Sequence, residues 1–593
     1  MGVRMNKSAV LHIPISQYAF ARSERTITLR IRTAKQDITS CKVYYGDRAC
    51  KKTPVEFFEL PMKRSATDEL FDYFEVTFDS LYQRVCYYFR LETEDEWFYY
   101  YADQFSTELP NIKIDGDIIE GRSEYYQYPF VLRSEIPDVP KWFKDAIVYN
   151  IFPDSFASSK GVIDCEKKTV VSENNIRLQS RLGGTIRGIK DNLDYIASLG
   201  VNCIYLNPIF MAGEYHKYDT LDYFHIDPCF GTDEDFYELV HQVHKRKMKI
   251  IIDGVFNHSS WYFFAFQDVV EQGEKSKYKD WFYDLQFPVI RPTDEAAIPS
   301  YTCFAYERKM PKLNTAKREV QEYFCNVCKY WIREFGIDGW RLDVANEIDR
   351  NFWRAFRMAA KSENPEVVLI GEVWENSEVW LRGDMFDSTM NYDFRKHCRD
   401  FFALGTINGD TFIERITQMQ LRYPTNVTLG QLNLLDSHDV PRFLSLCNND
   451  IQRWKLAVIF LLLSPGVPSI FYGDEKGISG IKENEYRSPM IWESSKNDQT
   501  EFVQGILSIR KQYTDFHSEF VMKVSEGNKG LFAFSRIGKK GNLSIYLNVS
   551  KTSNKIELHP DRKVLLQQGM EGCTIEPNGY IIFIDNSILL LEK

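Results

Sequence analysis

Between Ile147 and Tyr472 the sequence alternates short apolar runs with longer amphipathic ones, and this alternation constrains the fold more than any other feature. The runs Ile147–Ile151, Asn202–Leu206, Lys249–Val255, Gly336–Asp343, Val367–Gly371, Thr389–Tyr392, Leu429–Leu435 and Ser469–Tyr472 have strand length. Helical patterns such as Asp233–Lys247 and Val320–Phe335 lie between them. Near-continuous apolar runs suit parallel strands buried on both faces. Eight strands alternating with helices predict a (β/α)8 TIM barrel, of class α/β. The span from Asn257 to Met310 is too long for a plain loop, so a small subdomain is expected after the third strand, about residues 257–312.

In such a barrel, chemistry belongs to the C-terminal ends of the strands. The third strand ends in Asp253-Gly-Val-Phe-Asn257-His258, the fourth in Arg341-Leu-Asp343, the fifth in Gly371-Glu372-Val-Trp374, and the seventh in Asp436-Ser-His438-Asp439. Residues two apart in a strand share a face, so Arg341 and Asp343 point together, away from Trp340 and Leu342. A neighbouring cation favours a carboxylate's charged form, so Arg341 is expected to hold Asp343 ionised. Three carboxylates at one rim suit glycoside cleavage: one attacks the anomeric carbon, one protonates the leaving oxygen, and a third stabilises the cationic transition state. His258 and His438 can donate hydrogen bonds to sugar hydroxyls. Asp253, Asn257 and these histidines show no metal-ligand spacing, so no metal is expected there.

The flanks read differently. Ile27, Leu29 and Ile31 alternate with Thr28, Arg30 and Arg32, and Phe74, Val76 and Phe78 repeat the pattern. Val85–Arg90 and Trp97–Tyr101 follow, and Pro129, Pro137 and Pro140 mark a linker. Residues 1–130 are therefore expected to form a β-sandwich, with the barrel at 131–514. Leu531–Phe534, Leu543–Val549 and Tyr580–Ile584, with a Pro577-Asn-Gly579 turn, predict a C-terminal β-sandwich over 515–593. The aromatic load of Trp97–Tyr101 suggests exposed rings at an interface. A net charge of −10 argues against nucleic acid, and no apolar stretch of about 18 residues suggests a membrane span. With no apolar leader-like run at the N-terminus and twelve scattered cysteines, a reducing cytoplasm is expected.

The four rim segments resemble the four signature regions of the α-amylase superfamily of glycoside hydrolases. Met310-Pro-Lys-Leu-Asn314 resembles the fifth region of its neopullulanase, cyclomaltodextrinase and maltogenic amylase subfamily. Val344-Ala-Asn346-Glu347 resembles that subfamily's extension after the nucleophile. His216-Lys-Tyr218-Asp-Thr220 is similar to a further subfamily segment, whose tyrosine stacks on the sugar at the cleavage site. The resemblance implies Asp343 as nucleophile, Glu372 as acid/base and Asp439 as transition-state stabiliser. It implies substrate contacts at Tyr218, His258, Arg341 and His438, with Asn346 and Glu347 on the acceptor side and Arg487 on the non-reducing side. Asp253, Asn257 and Trp374, in the same segments, complete the substrate-binding candidates. Glu483 stands where an aspartate is usual beside that arginine, and Glu375 where a histidine is common.

The resemblance further implies a retaining α-glucan hydrolase acting on cyclodextrins, maltooligosaccharides and pullulan, with some transglycosylation. It also implies a homodimer in which the N-terminal domain covers the partner's barrel mouth. Within the superfamily the alternative is an α-glucosidase or glucanotransferase; the N-terminal β domain speaks against the oligo-1,6-glucosidase types. A non-catalytic amylase-like glucan-binding protein is the alternative of another class, against which the complete carboxylate set speaks. Relatives often hold calcium after the first strand and at a Gly-Gly-Asp turn. Here Ala157-Ser-Ser-Lys160 and Gly183-Gly-Thr185 stand in those places, and lysine and threonine are poor ligands, so no calcium or other cofactor is expected.

Overall fold

The computed structural model describes residues 4–50, 55–110, 124–158, 168–171, 176–294, 296–492, 498–525, 528–558 and 561–585. The chain divides into two units: Met1–Asp138 with Leu381–Gly383 and Asp410–Thr428, and Val139–Trp380 with Asp384–Gly409 and Leu429–Lys593.

The first unit contains two antiparallel sheets. One orders Ala19–Ala21, Thr26–Ala34, Phe71–Asp79 and Lys63–Thr67; the other orders Phe58–Pro61, Ser40–Asp47, Val85–Glu92, Trp97–Tyr101 and Gln104–Ser106, with Tyr126–Tyr128 also on Val85–Glu92. The period-two pattern sends Ile27, Leu29 and Ile31 inward from one sheet to meet Val43, Tyr87, Phe89 and Leu91 from the other. The expected display of aromatic rings on Trp97–Tyr101 is corrected. Tyr100 and Tyr101 are buried, Tyr99 lies edge-on to Tyr88, and Tyr101 packs on Tyr125. Only Trp97 of this strand is exposed, with the Arg90 guanidinium 4.7 Å over its ring. Both faces of this strand are covered: Phe98 and Tyr100 join the core between the sheets, while Tyr99 and Tyr101 join a second cluster with Val55, Cys86, Tyr88 and Tyr125 on the other face.

In the second unit, eight parallel strands close into a barrel: β1 Val148–Ile151, β2 Cys203–Leu206, β3 Lys249–Gly254, β4 Gly339–Leu342, β5 Val368–Gly371, β6 Ser388–Asn391, β7 Leu432–Leu434 and β8 Val467–Phe471. Closure runs through Val148 opposite Ser469. β4 begins three positions later than its apolar pattern suggests. Gly336 takes a left-handed conformation (φ 72°) that ends the preceding helix, and Asp338 is occupied by His244 and Lys249. After β2 comes a hairpin, Phe210–Ala212 with Thr220–Ile226. After β3 comes the expected insertion. It holds the helix Phe264–Gln272 and is stitched to residues 311–313 by bridges from His258, Phe282 and Cys303.

The C-terminal segment is all-β. Its described strands join in one antiparallel set around Thr574–Asp585, with Leu531, Ile575, Ile581 and Phe583 buried. Among the described residues no helix is long and apolar enough to cross a membrane.

Candidate active site

The barrel delivers four carboxylates to one guanidinium. Arg341, on β4 and wholly buried, donates through Nη1 to Asp253 Oδ1 (2.9 Å) and to Asp343 Oδ1 (2.7 Å). Its Nη2 lies 2.9 Å from Glu372 Oε2 and 3.8 Å from Asp439 Oδ2. β3, β4, β5 and the turn after β7 thus converge, as the rim rule anticipates. Local backbone makes this possible. Gly371 leaves room at the end of β5, where a Cβ would stand 2.5 Å from the Phe386 ring. Val344, next to Asp343, adopts φ 45° and ψ 44°. That is a costly conformation for a β-branched residue. It aims the Val344 N–H at Glu372 Oε2, 2.9 Å away. The other Glu372 oxygen accepts from Trp374 Nε1 at 3.0 Å, and the Trp374 ring stacks on Tyr392 at 3.7 Å.

Asp343 shares the Arg341 guanidinium with two other acids, Asp253 and Glu372. Burial lifts Asp343 well above the usual carboxylate range; Arg341 pulls the other way, and the charges of Glu372, Asp253 and Asp439 add to the rise. Asp439 behaves oppositely. Burial would raise it, but His438, with Nε2 2.9 Å from Oδ2, and the guanidiniums of Arg341 and Arg487 carry it below the usual range. Such a cluster titrates as a unit, and its protons belong to the set and not to single residues.

The other candidates fall into groups. Asp253 is wholly buried and accepts from Arg341, Tyr205 Oη (2.7 Å) and Tyr218 Oη (3.2 Å), so its place is beneath the site, acting through Arg341. The Tyr218 hydroxyl also meets His438 Nε2, and the two rings stack within 8° of parallel. His258 is buried, its Nε2 against Tyr218 O (3.2 Å) and its ring stacked on Phe304. Burial pushes its pKa down to about 3. Asn257 accepts from Lys312, which also bonds Glu347 Oε2 at 3.0 Å. Asn346 donates to Glu375 at 2.9 Å, so Glu375 takes up a local partner. Arg487 donates through Nε to His438 O (2.8 Å) and through Nη1 to Glu483 (2.6 Å), so the glutamate reaches the arginine despite its extra methylene.

Several supporting residues carried no acidic or imidazole signal in the sequence: Tyr205, Asn207 and Tyr392. Asn207, just past β2, donates to Tyr205 Oη (3.1 Å) and His438 Nδ1 (2.9 Å). Applying the rim rule to every strand end, whatever its residue type, identifies it.

A closed barrel with this carboxylate set defines an α-amylase-type glycoside hydrolase, and the chain belongs to that family. Residues 150–534 match the α-amylase catalytic domain and residues 5–131 the α-amylase N-terminal ig-like domain. The chain is 39% identical over 512 residues to a cyclomaltodextrinase of Geobacillus thermopakistaniensis, covering 86% of this chain and 85% of that one. It is 38% identical over 546 residues to neopullulanase 2 of Thermoactinomyces vulgaris, covering 91% and 90%. A solved cyclomaltodextrinase structure matches with a TM-score of 0.86 at 35% identity, over 97% of this chain and 99% of that one.

Proposed function

We propose that the chain is a retaining α-glucan hydrolase that opens cyclodextrins and cleaves α-1,4 bonds in maltooligosaccharides and pullulan. The substrate classes come from the relatives. The observation that carries the chemistry is the convergence of Asp343, Glu372 and Asp439 on the Arg341 guanidinium. In this reading Asp343 Oδ attacks the anomeric carbon while Glu372 gives its proton to the leaving oxygen. Asp439, held anionic, stabilises the oxocarbenium-like transition state. Glu372, now a carboxylate, takes a proton from water, which displaces Asp343 with net retention. A sugar hydroxyl in place of water gives transglycosylation. Proton NMR of the first-formed product from β-cyclodextrin tests the reading: the α-anomer is expected, and first-formed β-anomer overturns it. Parallel digests of pullulan and soluble starch rank the substrates.

Calcium binding does not fit the residues present. The buried Asp154 carboxylate already accepts from Ser180 Oγ (2.5 Å) and the backbone N–H groups of Arg181 (3.1 Å), Leu182 (3.1 Å) and Gly183 (3.2 Å). Thr185 caps a helix by accepting from Gly188; Ser159 and Lys160 lie outside the described residues. The expected thermal midpoint is the same with and without chelator, and a large drop on chelation refutes this. A cytoplasmic location is supported by every described cysteine being a free thiol. The homodimer rests on the subfamily resemblance and on exposed rings of the first unit such as Phe58 and Trp97. Light scattering over a range of concentrations reads its mass directly; one-chain mass throughout refutes it.

A further inference from the structure

Tyr218 reaches the site from the tip of the hairpin after β2, whose residues 213–220 are buried or half-buried, and a connecting loop is ordinarily among the more mobile parts of a fold. This tip is tied down from inside. Lys217, one residue before Tyr218, has no exposed surface and lies 2.8 Å through Nζ from Asp227 Oδ2, which is equally buried. Asp227 sits at the hairpin's base. Its backbone N–H bonds Ile209 O (2.9 Å), and its carboxylate accepts from the N–H groups of Ala212 (3.0 Å) and Cys229 (2.8 Å). The ammonium also donates to Gln179 O at 2.7 Å, on the neighbouring Arg177–Ser180 strand, above the Phe230 ring. The lysine side chain therefore folds from the tip back to the base and to the neighbouring Arg177–Ser180 strand.

The backbone at Lys217 carries a matching signature. Its φ is 66°, in the left-handed region that favours glycine. Such a conformation persists where surrounding contacts over-determine it. The tip closes on itself as well: Gly213 and Glu214 donate backbone N–H groups to Asp219 at 3.0 Å each, and Tyr218 N donates to His216 Nδ1 at 3.1 Å. A lysine buried without exposed surface is rare and needs a partner. Burying it at the root of Tyr218, with the hairpin's base and the neighbouring strand anchored on one ammonium, fixes where the next residue points.

We propose that the Lys217–Asp227 pair is a positioning device for the reaction: it locks the hairpin tip so that the Tyr218 ring stands against His438 and its hydroxyl between Asp253 and His438. Lys217 touches neither substrate nor the reacting carboxylates; it acts through Tyr218. The inference rests on the proposed hydrolase reading and on Tyr218 belonging to the cleavage site, as the subfamily resemblance implies.

The test is a double-mutant cycle on β-cyclodextrin hydrolysis, with the thermal midpoint measured for every variant. Lys217→Met is expected to lower kcat/KM by about 10²-fold, the scale of a 1 Å misplacement near a reacting centre. In the Tyr218→Ala background the same change is expected to cost no more than about twofold, since residues that act as one unit are not additive. Asp227→Asn, isosteric with the wild type, serves as the second variant should Lys217→Met fail to fold, with the same two expectations. A merely structural role gives a lower thermal midpoint with kcat/KM of the folded enzyme unchanged, or equal losses in both backgrounds, and either result overturns the proposal. Should Tyr218→Ala alone leave kcat/KM intact, the placing of Tyr218 at the cleavage site fails first and the positioning role with it.

Discussion

At the scale of single residues the site depends on how one guanidinium is shared. Arg341 offers two nitrogens to three acids, so a planar fork is required and a single ammonium cannot replace it. Arg341→Lys is accordingly expected to fold and to lose about 10²-fold in kcat, on the scale of a lost electrostatic donor. A near-wild-type kcat would show that charge alone suffices. Asp343→Asn and Glu372→Gln are each expected to drop turnover by about 10⁴-fold while circular dichroism stays native, on the scale seen when a catalytic group keeps its shape but not its chemistry. A folded Asp343→Asn enzyme with ordinary turnover would remove Asp343 from the nucleophile role. The acidic residues were legible in the sequence because charge on an apolar strand stands out. Val344 was not: a β-branched residue reads as extended strand, yet here it turns left-handed to reach Glu372. That choice is made by the closed barrel and not by the residue's own preference.

At the scale of elements, strand length and apolar runs sufficed to find all eight barrel strands, including the short β6. Where their ends moved it was by one to three residues, in either direction, because hydrogen bonding with neighbours and a turn such as Gly336 set where a strand ends, and hydrophobicity does not. The aromatic strand Trp97–Tyr101 was misread for the opposite reason. Five aromatic residues in a row mark neither face as the solvent face, and that both are covered, by separate clusters around Tyr100 and Tyr101, is long-range information. Asn207 marks a third limit, since a neutral amide at a strand end carries no charge signal. It joins β2 to Tyr205 and to His438 on the turn after β7. Asn207→Ala leaves those buried groups short of a partner, a cost of about 1–3 kcal/mol or roughly ten- to a hundredfold. The loss is expected in kcat/KM for β-cyclodextrin, with a smaller change in thermal midpoint; wild-type kcat/KM would show that His438 and Tyr218 orient each other without it.

At the scale of the whole molecule, burial lowers the pKa of one histidine in the first unit and of two in the second. In the first, His12 lies 2.7 Å through Nδ1 from Arg30 O and 2.8 Å through Nε2 from Tyr87 Oη, and burial pushes its pKa down to about 4. In the second, His216 and His258 are pushed down to about 4 and about 3, in both cases mainly by burial. The sign follows from linkage: between about pH 6.5 and each depressed value the unfolded chain binds a proton that the folded chain does not, so stability falls as pH falls. Asp219, pushed up to about 7 by burial, has the opposite sign in the second unit. Its contribution is full below its unfolded value of 3.8 and is lost as pH rises through about 7. The first unit therefore gives the cleaner measurement. Its unfolding midpoint is expected to fall steadily from pH 6.5 to pH 4 in the full-length protein. His12→Gln, which can still donate to Arg30 O and meet Tyr87 Oη, is expected to lower stability at pH 7 yet flatten the dependence below pH 6.5. A variant with the wild-type slope would show that the acid sensitivity of this unit arises from other groups.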